Sequence, residues 1–227
     1  MGGIGSVFYT GRSILLNQPE TGSLIVEYST DGRVLRTVGT ARPTGFEADS
    51  DVHLALNAGL PLEHPSGGFY FVFLAGEPRF RRYSAQGTLV YERVIQGPEL
   101  DPLIAAHPTR WPARRERGES PIVPSIVRTA AVDSDGTLWV ALMPPFTYVY
   151  ADDGEKQRTV QFRGAGVIAP TSLSFAKGGH LLVTPGLYVF DPKTAVEPSA
   201  PNKAGKNGTY VARAVATKRR VLRSFCS

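Results

Sequence analysis

The sequence predicts an all-β protein: a β-propeller built from four-stranded antiparallel blades, with an incomplete ring. Three observations carry this. A unit of glycine turn, apolar run and closing aromatic recurs four times. The runs FYFVFLA (69–75) and TLWVALM (137–143) are almost wholly apolar, as middle strands buried on both faces must be. No stretch sustains a helical period; only 98–106 and the far C-terminus have room for a turn or two of helix.

The first copy is GSVFYTG with SLIVEYSTDGRVLRTVG, in which Gly5, Tyr28 and Gly32 hold the repeated places. The second, GGFYFVFLAGEPRFRRYSAQGTLVYERVIQG, has Gly68, Tyr83 and Gly87. The third, AAVDSDGTLWVALMPPFTYVYADDGEKQRTVQF, has Gly136, Tyr150 and Gly154, and the fourth, GGHLLVTPGLYVFDP, has Gly179 and Phe190. From turn glycine to closing aromatic the offsets are 23, 15, 14 and 11 residues, and the aromatics recur at intervals of 55, 67 and 40. That is a repeat of about forty residues with loop insertions, the period of a propeller blade. In three copies the tyrosine stands four residues before a glycine, which suits a hairpin turn needing positive φ. A β-sandwich also has short strands at regular spacing, but it does not need the repeated glycine-to-aromatic pattern.

The copies VDSDGTLWVAL…YVYADDGEK, GGFYFVFL…RRYSAQGTLV and GGHLLVT…LYVFDP resemble the blades of NHL-like, six-bladed β-propeller proteins of bacteria, where strand, D-x-x-G-type turn, strand and Y-x-x-x-G succeed one another. The resemblance spans residues 5–192 and implies architecture, with a ligand or partner surface at the mouths of a central channel. It transfers no functional residue, because no active-site motif stands here to be matched. Six blades need roughly 240 residues, whereas three to four copies are visible. The first copy reads as starting within the second strand of a blade, so its innermost strand is expected from elsewhere. Three readings follow: a truncated or mis-started gene product, which is preferred, a small four-bladed ring, or a half-propeller that pairs with a second chain. The open blade edges of an incomplete ring are a route to self-association.

Hydrophobic residues make up 42% and charged residues 20% of the 227-residue chain, ordinary values for a globular domain. The longest apolar run, 69–75, is far short of the ~20 residues that cross a bilayer, so no membrane span is expected. The N-terminus lacks a signal peptide; if the true start lies upstream, the full-length form is expected in the periplasm or secreted. The net charge of +5 is unevenly placed. Residues 193–227 hold eight Lys or Arg against Glu197, while the rest has 17 basic and 19 acidic residues. Blades (1–192) and basic tail (193–227) are therefore expected to be distinct. The tail reads as a linker over 193–208, then a solvated extension or a strand completing the last blade over 209–222. Nucleic acid could be held only through TKRR and its neighbours, in a salt-sensitive, sequence-blind way. Cys226 excludes an internal disulfide and reads as a frayed terminal thiol. The myristoylation-type MGGIGS and the glycosylation triplet Asn207-Gly208-Thr209 carry little weight here.

Catalytic and metal motifs are missing from the sequence. His53, His64, His107 and His180 lie far apart, without the spacing that puts two ligands on one helix face. Asp133-x-Asp135-Gly136 begins like a calcium loop but lacks its later ligands, so a hairpin turn is expected; Asp152, Asp153 and Glu155 read the same way. No cofactor is expected. The least structural segment is the insertion 97–124, whose six prolines force a long surface loop. Within it His107, Arg110, Trp111 and Arg114 are the candidate ligand-binding residues, an aromatic face beside guanidinium groups. Two function classes fit the whole: a non-enzymatic propeller binding a protein or small molecule, or a metal-dependent hydrolase or lactonase. The second would draw on Asp51, Asn57 and Asp133 at strand starts.

Overall fold

The computed structural model describes residues 6–106 and 123–192, and the backbone of 209–213. Four antiparallel sheets follow one another in chain order. Blade one is β1 (Val7–Tyr9), β2 (Ser13–Gln18), β3 (Ser23–Ser29) and β4 (Val34–Thr40). Blade two is β5 (Gly59–Glu63), β6 (Phe69–Phe73), β7 (Arg79–Tyr83) and β8 (Leu89–Val94). Blade three is β9 (Val127–Val132), β10 (Leu138–Leu142), β11 (Thr147–Tyr150) and β12 (Lys156–Arg163), with the short β13 (Val167–Ile168) returning on β12. Among the described residues blade four has three strands, β14 (Ser172–Phe175), β15 (Leu181–Thr184) and β16 (Tyr188–Phe190).

The first strands of successive blades, β1, β5, β9 and β14, pack beside one another. They form the hub of a four-bladed propeller. No described strand of blade four hydrogen-bonds blade one, so the ring is not closed by strand pairing.

Strand alternation explains how the blades stack. On β6, Phe69, Phe71 and Phe73 pack with Leu15, Ile25 and Val38 of blade one. The intervening Tyr70 and Val72 join Leu138, Val140 and Leu142 of blade three. On β10 the same division sends Trp139 and Ala141 to Leu181, Val183 and Phe190 of blade four. All five residues of β6 and all five of β10 are buried, because each strand serves two interfaces. The outermost strands β4 and β8 are mostly exposed.

The Tyr-x-x-x-Gly turns take the expected form. Gly32, Gly87 and Gly154 have φ of 87°, 84° and 83°, and their N–H groups donate to the carbonyls of Ser29, Ser84 and Ala151. The first copy needs correction: Gly5 lies outside the described residues, and the turn between the first two strands is made by Gly11 at φ 93°. Measured from Gly11, the offset to Tyr28 falls to 17 residues, close to the other copies. VFY is the innermost strand, not the second, since Phe8 pairs with Leu15 and β1 runs beside β5.

Two further elements differ from the reading of the sequence. The helix α1 (Ser50–Leu56) occupies the connection from blade one to blade two, with Asp49 Oδ1 accepting from Val52 N–H at 3.3 Å. Seven residues are too few for the apolar period to stand out. The second helix, α2 (Asp101–Ala105), does fall within 98–106. Strand β17 (Thr209–Arg213) runs parallel to β12, so it extends blade three and does not complete blade four.

The antiparallel order sorts the connections into two faces. The connections between blades, with α1 and α2, lie at the start of the hub strands. The β5–β6, β9–β10, β11–β12 and β14–β15 turns lie at the opposite face, called the turn face below.

Candidate functional site

At the turn face, the junction of blades two and three is filled by a polar cluster. Tyr70 Oη donates to Gly136 O at 3.2 Å, and Tyr91 Oη donates to Asp152 O at 2.7 Å. The Arg82 guanidinium lies 5.3 Å from the Tyr70 ring centroid and 3.6 Å, through Nε, from Asp152 Oδ1. His64 Nδ1 accepts from Ser66 N–H at 3.2 Å and contacts Ser66 Oγ at 2.8 Å. Its Nε2 is 2.9 Å from Asp152 Oδ1 but lacks the alignment of a hydrogen bond.

Serine, histidine and aspartate here stand in the order of a hydrolytic relay, yet the turn geometry gives a structural reason for them. Asp133, at the matching place in blade three, accepts through Oδ1 from Asp135 N–H at 3.0 Å and Thr137 N–H at 2.9 Å. His64 takes the place of that aspartate and caps its own turn through Nδ1. The misaligned Nε2 contact is a clasp between blades.

Burial, then the Arg82 guanidinium, pushes the His64 imidazole below its ordinary range, opposed by Asp152. A histidine whose folded pKa lies below its unfolded value, about 6.5, binds protons less readily folded than unfolded. Stability is therefore complete above that unfolded pKa and falls as pH drops below it, down to the folded pKa. Urea titrations of the native chain and His64→Gln across this window are expected to show the loss in the native chain and a flatter profile in the variant. Equal slopes would remove the clasp from the account of acid sensitivity.

The corresponding place between blades three and four is an open cleft of about 680 Å³. Its base holds Trp139, which lies edge-on to Phe175 at 5.9 Å between ring centroids and under the Arg158 guanidinium at 5.1 Å. Trp139 Nε1 donates to Asp133 Oδ2 at 3.3 Å. One wall, the β9–β10 turn, carries Asp133 and Asp135; the other, the β14–β15 turn, carries Lys177 and His180. Arg158 and Asp191 also line it, so each wall carries charges of both signs beside the aromatic base. A smaller cavity of about 340 Å³ lies among the hub strands, mostly apolar in its lining, with Glu63 as its ionisable group.

Of the ligand candidates, His107, Arg110, Trp111 and Arg114 all lie outside the described residues. Asp51 sits in the first turn of α1. Asn57 is fully buried and holds Arg42, accepting from its N–H at 2.8 Å and donating to its carbonyl at 3.2 Å. Asp133 is engaged by its own turn and by Trp139. Asn57 precedes β5 and Asp133 follows β9, so they stand at opposite ends of the hub, a strand length of roughly 17–20 Å apart. The structure does not bring these three together. Lys177 and His180 were missed as site residues because nothing in their local sequence shows that blade four faces Trp139.

No protein-family model matches the chain, and no functionally described protein matches its sequence. Among solved structures it is similar to a Bacteroides caccae protein of unknown function at 16% identity and TM-score 0.44, covering 79% of this chain and 52% of that one. It is similar to the extracellular domain of the hybrid two-component system BT3049 of B. thetaiotaomicron at 14% identity and TM-score 0.40, covering 88% and 22%. A third is BamB of Moraxella catarrhalis at 12% identity and TM-score 0.37, covering 82% and 47%. The chain thus spans about half, or less, of each of these structures.

Proposed function

We propose that the chain is a non-enzymatic binding propeller whose partner surface is the cleft between blades three and four. The observation that carries the reading is the contrast between two equivalent junctions. Blades two and three close theirs with Tyr70, Arg82 and the His64–Asp152 clasp, whereas blades three and four leave theirs open over Trp139. A cleft with an aromatic base and charges of both signs on each wall suits an extended peptide segment bearing both charges. The resemblance to NHL-like blades implies a ligand or partner surface at the mouths of a central channel, and the cleft lies at the turn face, one of the two faces on which such mouths open.

The test is a peptide array probed with the native chain and with the charge-swapped double variant Asp135→Lys, Lys177→Glu. Both positions are exposed, so the fold should tolerate the swap. Mixed-charge peptides are expected to bind the native chain, and the variant is expected to lose about tenfold in affinity, roughly 1.4 kcal/mol. Equal binding by both proteins would place the surface elsewhere. Chelator-sensitive hydrolysis of a lactone by the native chain would favour the enzymatic class instead.

A further inference from the structure

The hub strands of all four blades border the cavity of about 340 Å³ that lies among them. Phe8 of β1, Leu60 and Leu62 of β5, Val132 of β9 and Leu173 of β14 give it apolar walls. It follows β5 from Leu60 to Glu63, about three residue rises or roughly 10 Å. Its two ends differ. Toward the connection face the polar groups are the hydroxyls of Thr129 and of Ser6, whose Oγ donates to Gly59 O. Toward the turn face stands a carboxylate, Glu63, the one ionisable group of the lining among the described residues.

Glu63 stands opposite Phe69 of β6, on the face of blade two that turns toward blade one. There Arg12, in the β1–β2 turn, reaches Glu63 Oε1. The Arg12 side chain is 77% exposed and that of Glu63 22%, and an ion pair with so solvated a partner contributes little. An ionised carboxylate has room for more than one donor, so a second cation can reach Glu63 from inside the cavity while Arg12, which is no part of the lining, stays outside. A metal ion would need several more oxygen or nitrogen ligands. Among the described residues no group of three His, Cys, Asp or Glu stands together to supply them. The cation that fits this cavity is an organic one.

We propose that the hub cavity binds a small primary amine with an apolar body, its ammonium on Glu63 and its body along Phe8, Leu60, Val132 and Leu173. A pocket of this kind draws affinity from apolar burial and orientation from a few polar groups. A ligand carboxylate would set like charges together at Glu63, and a neutral ligand would strip water from the carboxylate without giving it a new partner. An ammonium replaces that water with a charge-assisted hydrogen bond. The hub cavity shares only Phe175 with the cleft of blades three and four, so this inference goes beyond the binding reading and stands independently of it.

Isothermal titration calorimetry of the full chain at neutral pH with hexylamine, 1-hexanol and hexanoate tests it. Hexylamine is expected to bind at least about tenfold more tightly than 1-hexanol, the scale of a hydrogen bond to a charged group, and hexanoate more weakly than either. Glu63→Gln is expected to bring hexylamine down to the affinity of 1-hexanol, with the alcohol and the circular-dichroism spectrum unchanged. Ser174 is exposed and lines the same cavity, so Ser174→Trp is expected to abolish binding of both. Should Glu63→Gln disturb folding, Arg12→Ala at its solvated position removes the competing cation and is expected to tighten hexylamine about threefold, the scale of an exposed ion pair. Equal affinity for amine and alcohol, an unchanged amine affinity in Glu63→Gln, or binding that survives Ser174→Trp would overturn the inference. So would a native chain that binds no hexylamine, or an amine affinity that fails to rise in Arg12→Ala.

Discussion

Arg42→Ala is expected to destabilise the protein by about 3–5 kcal/mol, the scale of a buried charged group removed from several acceptors. Arg42 follows β4 and is buried where blades one and two meet α1. Its Nη2 donates to Leu56 O and Ala75 O, both at 3.0 Å, and its Nη1 to Glu77 O at 3.2 Å. The guanidinium lies 4.4 Å from the centroid of the Phe73 ring. Burial, then the nearby Arg79 guanidinium, pushes Arg42 down to about 10, so it remains charged at neutral pH. Alanine leaves three carbonyls without their donor, each at about 1–3 kcal/mol before water recovers part of the loss.

Arg42→Lys separates geometry from charge. A single ammonium cannot span the end of α1 and the loop after β6 as the planar fork does, so only part of the stability is expected to return. Urea unfolding followed by circular dichroism measures both variants. A loss below about 1 kcal/mol for Arg42→Ala, the scale of one ordinary hydrogen bond, would show that water replaces the guanidinium with little cost.

The contrast between Arg42 and the repeat shows what was legible in the sequence. Strand period and turn glycines are local, so β6, β10 and the Tyr-x-x-x-Gly turns could be read from neighbouring residues. Gly11 was passed over because Gly5 stands just as near an apolar run, and only the pairing of Phe8 with Leu15 decides between them. The roles of Arg42, His64 and Trp139 are set by elements 33 to 88 residues away in the chain, at Ala75, Asp152 and Phe175. No local pattern marks such contacts. The cleft was hidden for the same reason: its two walls are ordinary hairpin turns, and their sequences do not say which blade each will face.

Trp139→Ala is expected to have an effect of similar size, about 3–5 kcal/mol, as for a large aromatic removed from a packed interior. The side chain is almost fully buried between blades three and four, with Leu181, Val183 and Phe190 in the same cluster. It also donates to Asp133, so its loss frees the carboxylate that shapes the β9–β10 turn. Trp139→Phe keeps the ring and removes only the N–H, and its expected cost is about 1 kcal/mol, that of a single hydrogen bond. Unfolding midpoints in a Trp111→Phe background let indole emission report on Trp139 alone in the parent chain, with circular dichroism following both variants. If alanine cost no more than phenylalanine, the indole would be a lining group of the cleft and not a support of the blade interface. The larger loss with alanine ties the cleft to the fold: the side chain at its base is also packed into the interface that holds blade four on blade three.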